Sequence, residues 1–154
     1  MMTSHTVVQL ITGFIGSICF GILFNLHGKR LVVSAVGGLF SWGLFLLTGF
    51  ILSSEALCYF IVAAIISLYS EIMARVLKTP ATPIITTSLV PLIPGSSLYY
   101  TMSYAFHSDW IEFWEKAVST LKLASALALG IICVTATVQL IFRVLSRRTQ
   151  KHRT

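Results

Sequence analysis

Two constellations in this sequence have residue types and spacing able to do chemistry. The first is Pro91-Leu-Ile-Pro94-Gly95-Ser96-Ser97, inside a stretch without Asp, Glu, Lys or Arg from Thr79 to Phe106. Pro91 and Pro94 each remove a backbone donor and clash with the preceding turn, and Gly95 adds an easily deformed joint. Ser96 and Ser97 are suited to cap a new half-helix. The start of such a half-helix carries free N–H groups and partial positive charge, so the chemistry on offer is anion recognition, with a carboxylate as a natural guest. Upstream, Thr82, Thr86, Thr87 and Ser88 supply hydroxyls that satisfy freed carbonyls or meet a polar solute. The candidate substrate site is therefore Ser96, Ser97, Gly95, Pro94 and Pro91 with Thr87. The second constellation is Glu71 with Arg75, spaced i, i+4. It reads either as a coupling group for protons or solute, or as a helix-stabilising pair whose arginine reaches for the membrane interface.

The elements that must position these residues are set by composition. Of 154 residues, 56% are hydrophobic and 10% charged, against about 25% charged in an average soluble domain. The chain is predicted to be an all-α integral membrane protein, a single polytopic domain over residues 1–154. A crossing of the roughly 30 Å hydrocarbon core takes about 20 helical residues. Four runs suffice, at about 7–26, 31–52, 56–77 and 117–142. The first has no preceding Lys or Arg and no A-x-A site behind it, so it reads as a retained span, not a signal peptide. The 80–106 region, with its four prolines, is either a broken crossing or a re-entrant loop.

Charge decides between them. Lys29 and Arg30 follow the first run, Arg75 and Lys78 the third, and Arg143, Arg147, Arg148, Lys151 and Arg153 the last. If 80–106 crosses, nine of the eleven Lys and Arg residues lie on one side, as the positive-inside rule asks. The expectation is five transmembrane helices with the fourth broken near the midplane by P-x-x-P-G, the N-terminus outside and a basic cytoplasmic tail at 143–154. Non-helical backbone at that depth is tolerated only when buried in protein or lining a watery cavity. Small residues on the first two spans, Gly13, Ser17 and Gly21, then Ser34 with Gly38 and Gly37 with Ser41, permit close helix approach. Trp110 and Trp114 suit a membrane interface, and Ser108 and Asp109 suit a helix N-cap. Cys19, Cys58 and Cys133 are isolated in apolar runs and read as packing residues. His27 and His107, at span ends, read as solvated surface residues. No cofactor or metal is expected, nucleic acid is excluded as a partner, and no catalytic set is present, so the chain is not expected to be an enzyme.

The strings S70-E-I-M-A-R-V-L-K-T-P-A-T-P and L89-V-P-L-I-P-G-S-S-L-Y-Y-T-M102, with F20-G-I-L-F-N25, resemble the threonine/serine exporter (ThrE) family. The resemblance covers nearly the whole chain and is narrower to the short YjjB-type subunit, which corresponds to the C-terminal half of full-length exporters. Pro83 departs from the family pattern. The resemblance implies export of small carboxylate-bearing solutes, threonine and serine or a dicarboxylate such as succinate, from a bacterial plasma membrane. It also implies a YjjP-type membrane subunit as partner. Five spans are few for a complete alternating-access transporter, which agrees with pairing to another half. The alternative is a non-transporting membrane assembly subunit or a channel-like protein, which gradient-independent conductance would reveal.

Overall fold

The computed structural model describes the backbone of residues 2–151 and the side chains of residues 6–142. Six helices follow in order: α1 (Met2–Leu23), α2 (Lys29–Ile51), α3 (Glu55–Val76), α4 (Ala81–Leu89), α5 (Gly95–Phe106) and α6 (Trp110–Lys151). A single 3-10 turn, Val90–Leu92, separates α4 from α5. Four helices are long and apolar enough to cross a membrane, over Thr6–Leu23, Lys29–Ile51, Glu55–Val76 and Trp110–Phe142. Each carries one of the four expected long runs. The 80–106 region is divided between α4 and α5, with Ile93 and Pro94 in neither. Of the expected basic tail, the backbone as far as Lys151 continues α6, and residues 152–154 lie outside the described residues.

Three of the helix ends share one device. Asn25, Lys78 and Ser108 all adopt a left-handed backbone, with φ of 59°, 49° and 60°. In each case the next residue donates back across the turn: Leu26 N–H to Gly21 O, Thr79 N–H to Ala74 O and Asp109 N–H to Tyr104 O, at 2.9–3.0 Å. This is the Schellman arrangement, which satisfies carbonyls that a helix end otherwise leaves bare. After the second of these turns Pro80 prevents the helix from resuming and its φ suits the start of α4. Ser108, expected as an N-cap, thus serves to close α5. Asp109 alone precedes α6, its carbonyl accepting the Phe113 N–H at 2.9 Å.

In lipid there is no hydrophobic force between apolar helices, so packing depends on shape and on small residues that admit close approach. α3 is the hub, packed against α2, α4 and α6, while α1 lies on α2 and α4, and α5 lies on α6. Ser17, Ser34, Gly37, Gly38 and Ser41 are all buried, as their spacing predicts. A Cβ on Gly38 would meet Ser17 Oγ of α1, and one on Gly37 would meet Ser88 Oγ of α4. The same device joins α3 to α6, where a Cβ on Gly130 would stand 2.6 Å from the Phe60 carbonyl oxygen. Between these seams Tyr59, Val62, Ile66, Leu89, Leu92 and Leu123 form the apolar core. Outside, Leu47, Phe50, Ile51, Phe106 and Ile111 are exposed, the surface a bilayer accommodates. Trp110 and Trp114 are exposed at the start of α6. Of the cysteines only Cys58 is a packing residue; Cys19 and Cys133 are exposed.

Candidate functional site

The break is built by the two prolines. Pro91 cannot donate to Thr87 O, the chain tightens into the 3-10 turn, and Ile93 N–H reaches Val90 O at 3.2 Å. Pro94 cannot donate either, and helical bonding resumes with Leu98 N–H to Pro94 O at 3.1 Å. The N–H groups of Ser96 and Ser97, in the first turn of α5, accordingly have no helical acceptor. Here the structure corrects one role. Pro94 occupies the N-cap position and no side chain caps the helix, so Ser96 and Ser97 do not cap α5; they lie within its first turn. Ser96 is exposed and Ser97 half-buried. A Cβ on Gly95 would meet nothing within 4 Å. No residue of α5 is fully buried, and its start at Gly95 and Ser96 is exposed, while Ser97 and Thr101 are half-buried.

Pro91 faces the other way. Together with Gln9, Thr12, Gly13, Gly16 and Trp42 it lines a shallow cavity of about 230 Å³ beside α1. Thr87 is wholly buried, its hydroxyl bonded to Ser34 of α2 and to the Pro83 carbonyl oxygen at 2.7 Å. Ser88 Oγ donates to Ser34 O at 3.2 Å. Thr87 and Ser88 are therefore the polar seam between α2 and α4, and Thr87 does not face the larger cavity.

The larger cavity is a cleft of about 670 Å³, in the range of small-molecule sites. α3 forms its floor, and α4 and α6 its walls, because both pack on α3 without substantial contact with each other. Three polar pairs, each spaced i, i+4 and hence one turn apart on one helix face, converge on it: Glu71 and Arg75 of α3, Thr82 and Thr86 of α4, Thr135 and Gln139 of α6. Apolar residues complete the lining; Leu89 is the last of them on α4, and Ile93, past the 3-10 turn and next to Pro94, follows it. Of the break only Ile93 lines this cleft; Pro91 lines the smaller cavity, and Pro94, Gly95, Ser96, Ser97 and Thr87 line neither, so the two constellations that the sequence offers are not brought together in one site.

Glu71 is 5% exposed and its carboxylate is held by Arg75 Nη1 at 2.6 Å. The same nitrogen donates to the Glu71 carbonyl at 2.6 Å, and the guanidinium lies 4.0 Å from the centre of the Phe142 ring. The ion pair is consequently tied to α6 as well as α3. Thr86 donates to the Thr82 carbonyl, and Thr135 to the Ile131 carbonyl at 2.8 Å, which leaves their oxygens as acceptors on the cleft wall. Sequence reading picked out Thr82 and Thr86 but passed over Thr135 and Gln139. Their signal was present, a polar i, i+4 pair in an otherwise apolar run, but 60 residues of sequence separate it from Arg75. Among the described residues no group of His, Cys, Asp or Glu is placed to hold a metal ion.

Four long apolar helices define a multi-pass membrane protein, and the cleft between α3, α4 and α6 holds an ion pair whose Glu71 is buried and whose Arg75 is a third exposed. The chain belongs to the threonine/serine exporter family, ThrE, whose sequence model matches residues 9–137. That is a transporter family, not an enzyme family. No curated protein and no solved structure matches the chain.

Proposed function

We propose that the chain is a YjjB-type subunit of a secondary exporter for small carboxylate-bearing solutes, threonine and serine or a dicarboxylate such as succinate. It works in the bacterial plasma membrane with a YjjP-type membrane subunit as partner. In this reading α4, the turn and α5 together make the fourth of five spans: 26 residues from Ala81 to Phe106 give at most about 39 Å of helix, enough to cross with a bend. The N-terminus is then outside and the C-terminus cytoplasmic, which puts Arg75 and Lys78 at the inner face. The observation that carries the proposal is the cleft, which runs from the ion pair to the break. It offers half of an alternating-access path, and Ile93 of its lining is three residues ahead of Ser96 in the chain.

The partner enters through the same feature. Bare N–H groups and non-helical backbone are not tolerated against lipid. Within the chain α5 packs chiefly on α6, which leaves the exposed Gly95 and Ser96 for a second subunit to cover. Gly95→Leu tests this, because a Cβ there has nothing of the chain within 4 Å. Proteoliposomes holding this chain and the YjjP-type subunit should export threonine or succinate along an imposed gradient, and Gly95→Leu should abolish export while the isolated chain stays folded. Unchanged efflux in that variant removes the break from the site, and gradient-independent conductance by this chain alone replaces the exporter with a channel.

A further inference from the structure

We infer that the cleft between α3, α4 and α6 holds a phospholipid with an anionic head group, its phosphate on Arg75 and one acyl chain along the slot towards Ile93. The inference goes beyond the exporter reading and takes from it only that residues 81–106 cross the membrane; the lipid is the occupant of the cleft in the absence of a solute. The slot is open opposite its floor, since Thr82, Thr86 and Ile93 on one side and Gln139 on the other are exposed. What fills it in a bilayer therefore enters from the side. α3 and α6 run in the same direction, with Gly130 against Phe60 and Phe142 against Arg75, and α4 returns from the turn that follows α3. The lining is accordingly graded by depth. Arg75, Thr82 and Gln139 lie at the Ala81 end, Thr86 and Thr135 one turn further in, and Leu89, Ile93, Leu127 and Ile131 beyond them. Leu127 and Gln139 are 12 residues apart, about 18 Å of helix, against about 15 Å for one leaflet of the hydrocarbon core. A slot one leaflet deep, polar at the surface end and apolar towards the midplane, matches a lipid in length and in polarity.

The hydrogen bonds follow the same gradient. Thr86 donates to the Thr82 carbonyl and Thr135 to the Ile131 carbonyl, so the deeper hydroxyls are satisfied within their own helices and tolerate hydrocarbon beside them. Ile93, at the deep end, is satisfied as well: its N–H reaches Val90 O at 3.2 Å and its carbonyl accepts the Gly95 N–H at 2.7 Å. At the surface end the Thr82 hydroxyl and the Gln139 amide have no partner among the described residues. Arg75 holds Glu71 through Nη1, which leaves Nε and Nη2 without an acceptor among the described residues. A phosphate oxygen on that free edge completes the fork of the guanidinium. The surrounding charges select an anionic head group. Lys78, in the turn between α3 and α4, is exposed, and Arg143 follows Gln139 by one turn along α6. Glu71 is the one acidic residue towards this end; Glu55, Asp109, Glu112 and Glu115 stand at the opposite ends of α3 and α6. Basic pockets between membrane helices attract anionic lipids.

The test uses the full chain in phosphatidylcholine nanodiscs with a small fraction of phosphatidylglycerol that carries a photoreactive diazirine near the end of one acyl chain. Cross-links mapped by peptide mass spectrometry should fall on Leu89, Ile93, Leu127 and Ile131. The same label on phosphatidylcholine should give roughly fivefold to thirtyfold fewer of them, as expected for one or two cations at the head group. Arg75→Gln should reduce that preference roughly fivefold, whereas Lys29→Gln, at an exposed cation of α2 outside the cleft, should leave it unchanged. If Arg75→Gln does not fold, the comparison of the two head groups on the natural sequence decides alone. Cross-links spread over Leu47, Phe50 and Phe106 as evenly as over the slot, or equal labelling by both head groups, overturn the assignment. Displacement by glycerol 3-phosphate or inorganic phosphate reveals a site for a free anion, and cross-links lost on dimerisation reveal a second copy of the chain in the slot; each of these results overturns it too. No arm measures export, so the lipid assignment and the exporter reading can fail separately.

Discussion

Gly130→Ala probes the seam on which the cleft is built. A Cβ at this position stands 2.6 Å from the Phe60 carbonyl oxygen, 2.9 Å from Ala63 Cβ and 3.2 Å from the Ala64 nitrogen. All three belong to α3, and two of them are backbone atoms with no rotamer by which to retreat. Carbon and carbonyl oxygen settle at about 3.3–3.6 Å, so α3 and α6 must part locally by about 0.7–1 Å. Overpacking of this kind costs about 1–3 kcal/mol, which is roughly a 5-fold to 160-fold loss in the folded to unfolded ratio. Leu127 and Ile131, on either side of Gly130, line the cleft, so the same displacement should reduce threonine efflux. Unfolding of the purified chain in mixed micelles of mild detergent and dodecyl sulfate measures the first effect. Gly16→Ala is the control, since a Cβ there would meet nothing within 4 Å. Gly130→Ala must prove the less stable of the two; equal stability would refute the claim that this close approach holds α3 to α6.

The other seams give sharper pairwise expectations. Gly38→Ala should destabilise by about 1–3 kcal/mol, because its methyl group meets Ser17 Oγ, and Ser17→Gly should recover part of that loss in the double variant, as a coupling energy in the same unfolding assay. Thr87→Val keeps the shape but removes the hydroxyl bonded to Ser34 and to the Pro83 carbonyl; a loss of about 0.6–1.7 kcal/mol is expected, with the preference between threonine and succinate unchanged in competition efflux. Phe142→Leu removes the ring beneath Arg75 and should cost about 0.5–1 kcal/mol, a loss that disappears when it is measured on an Arg75→Leu background.

The long helices were legible because apolar runs of membrane length are a signal carried by every residue in them. The seam between α1 and α2 was legible for a related reason: Gly13, Ser17, Ser34 and Gly38 recur at one-turn spacing, and only small residues at that spacing let two backbones meet. The break itself could be read from Pro91, Pro94 and Gly95, since a missing N–H is a local fact. What could not be read is which way each residue of the break faces. Pro91 and Ile93 are two positions apart and line different cavities, and the rotation that separates them comes from a 3-10 turn whose length the sequence does not state. The role expected of Ser96 and Ser97 failed on the same point, since the new helix starts at Gly95 and carries both serines inside its first turn. Ser108 was read as the start of one helix when its left-handed φ ends another, because serine suits either end and the register of the Schellman turn decides. The cleft needed the fold outright: nothing local in Thr135 or Gln139 points to Glu71.

The contacts divide the chain into two bodies on either side of α3. Ser17, Gly37, Gly38, Thr87 and Ser88 stitch α1, α2 and α4 together with short polar and backbone contacts, whereas α5 is carried by α6. Ile93 and Pro94, outside any helix, are the strap that joins α5 to the 3-10 turn after α4. In mechanical terms the strap is a pivot at the root of a lever. α5 is 12 residues long, about 18 Å, so a turn of about 10° at Ile93–Gly95 carries its Phe106 end through about 3 Å. Such a swing is comparable to the width of a carboxylate, and it demands no bending of any helix.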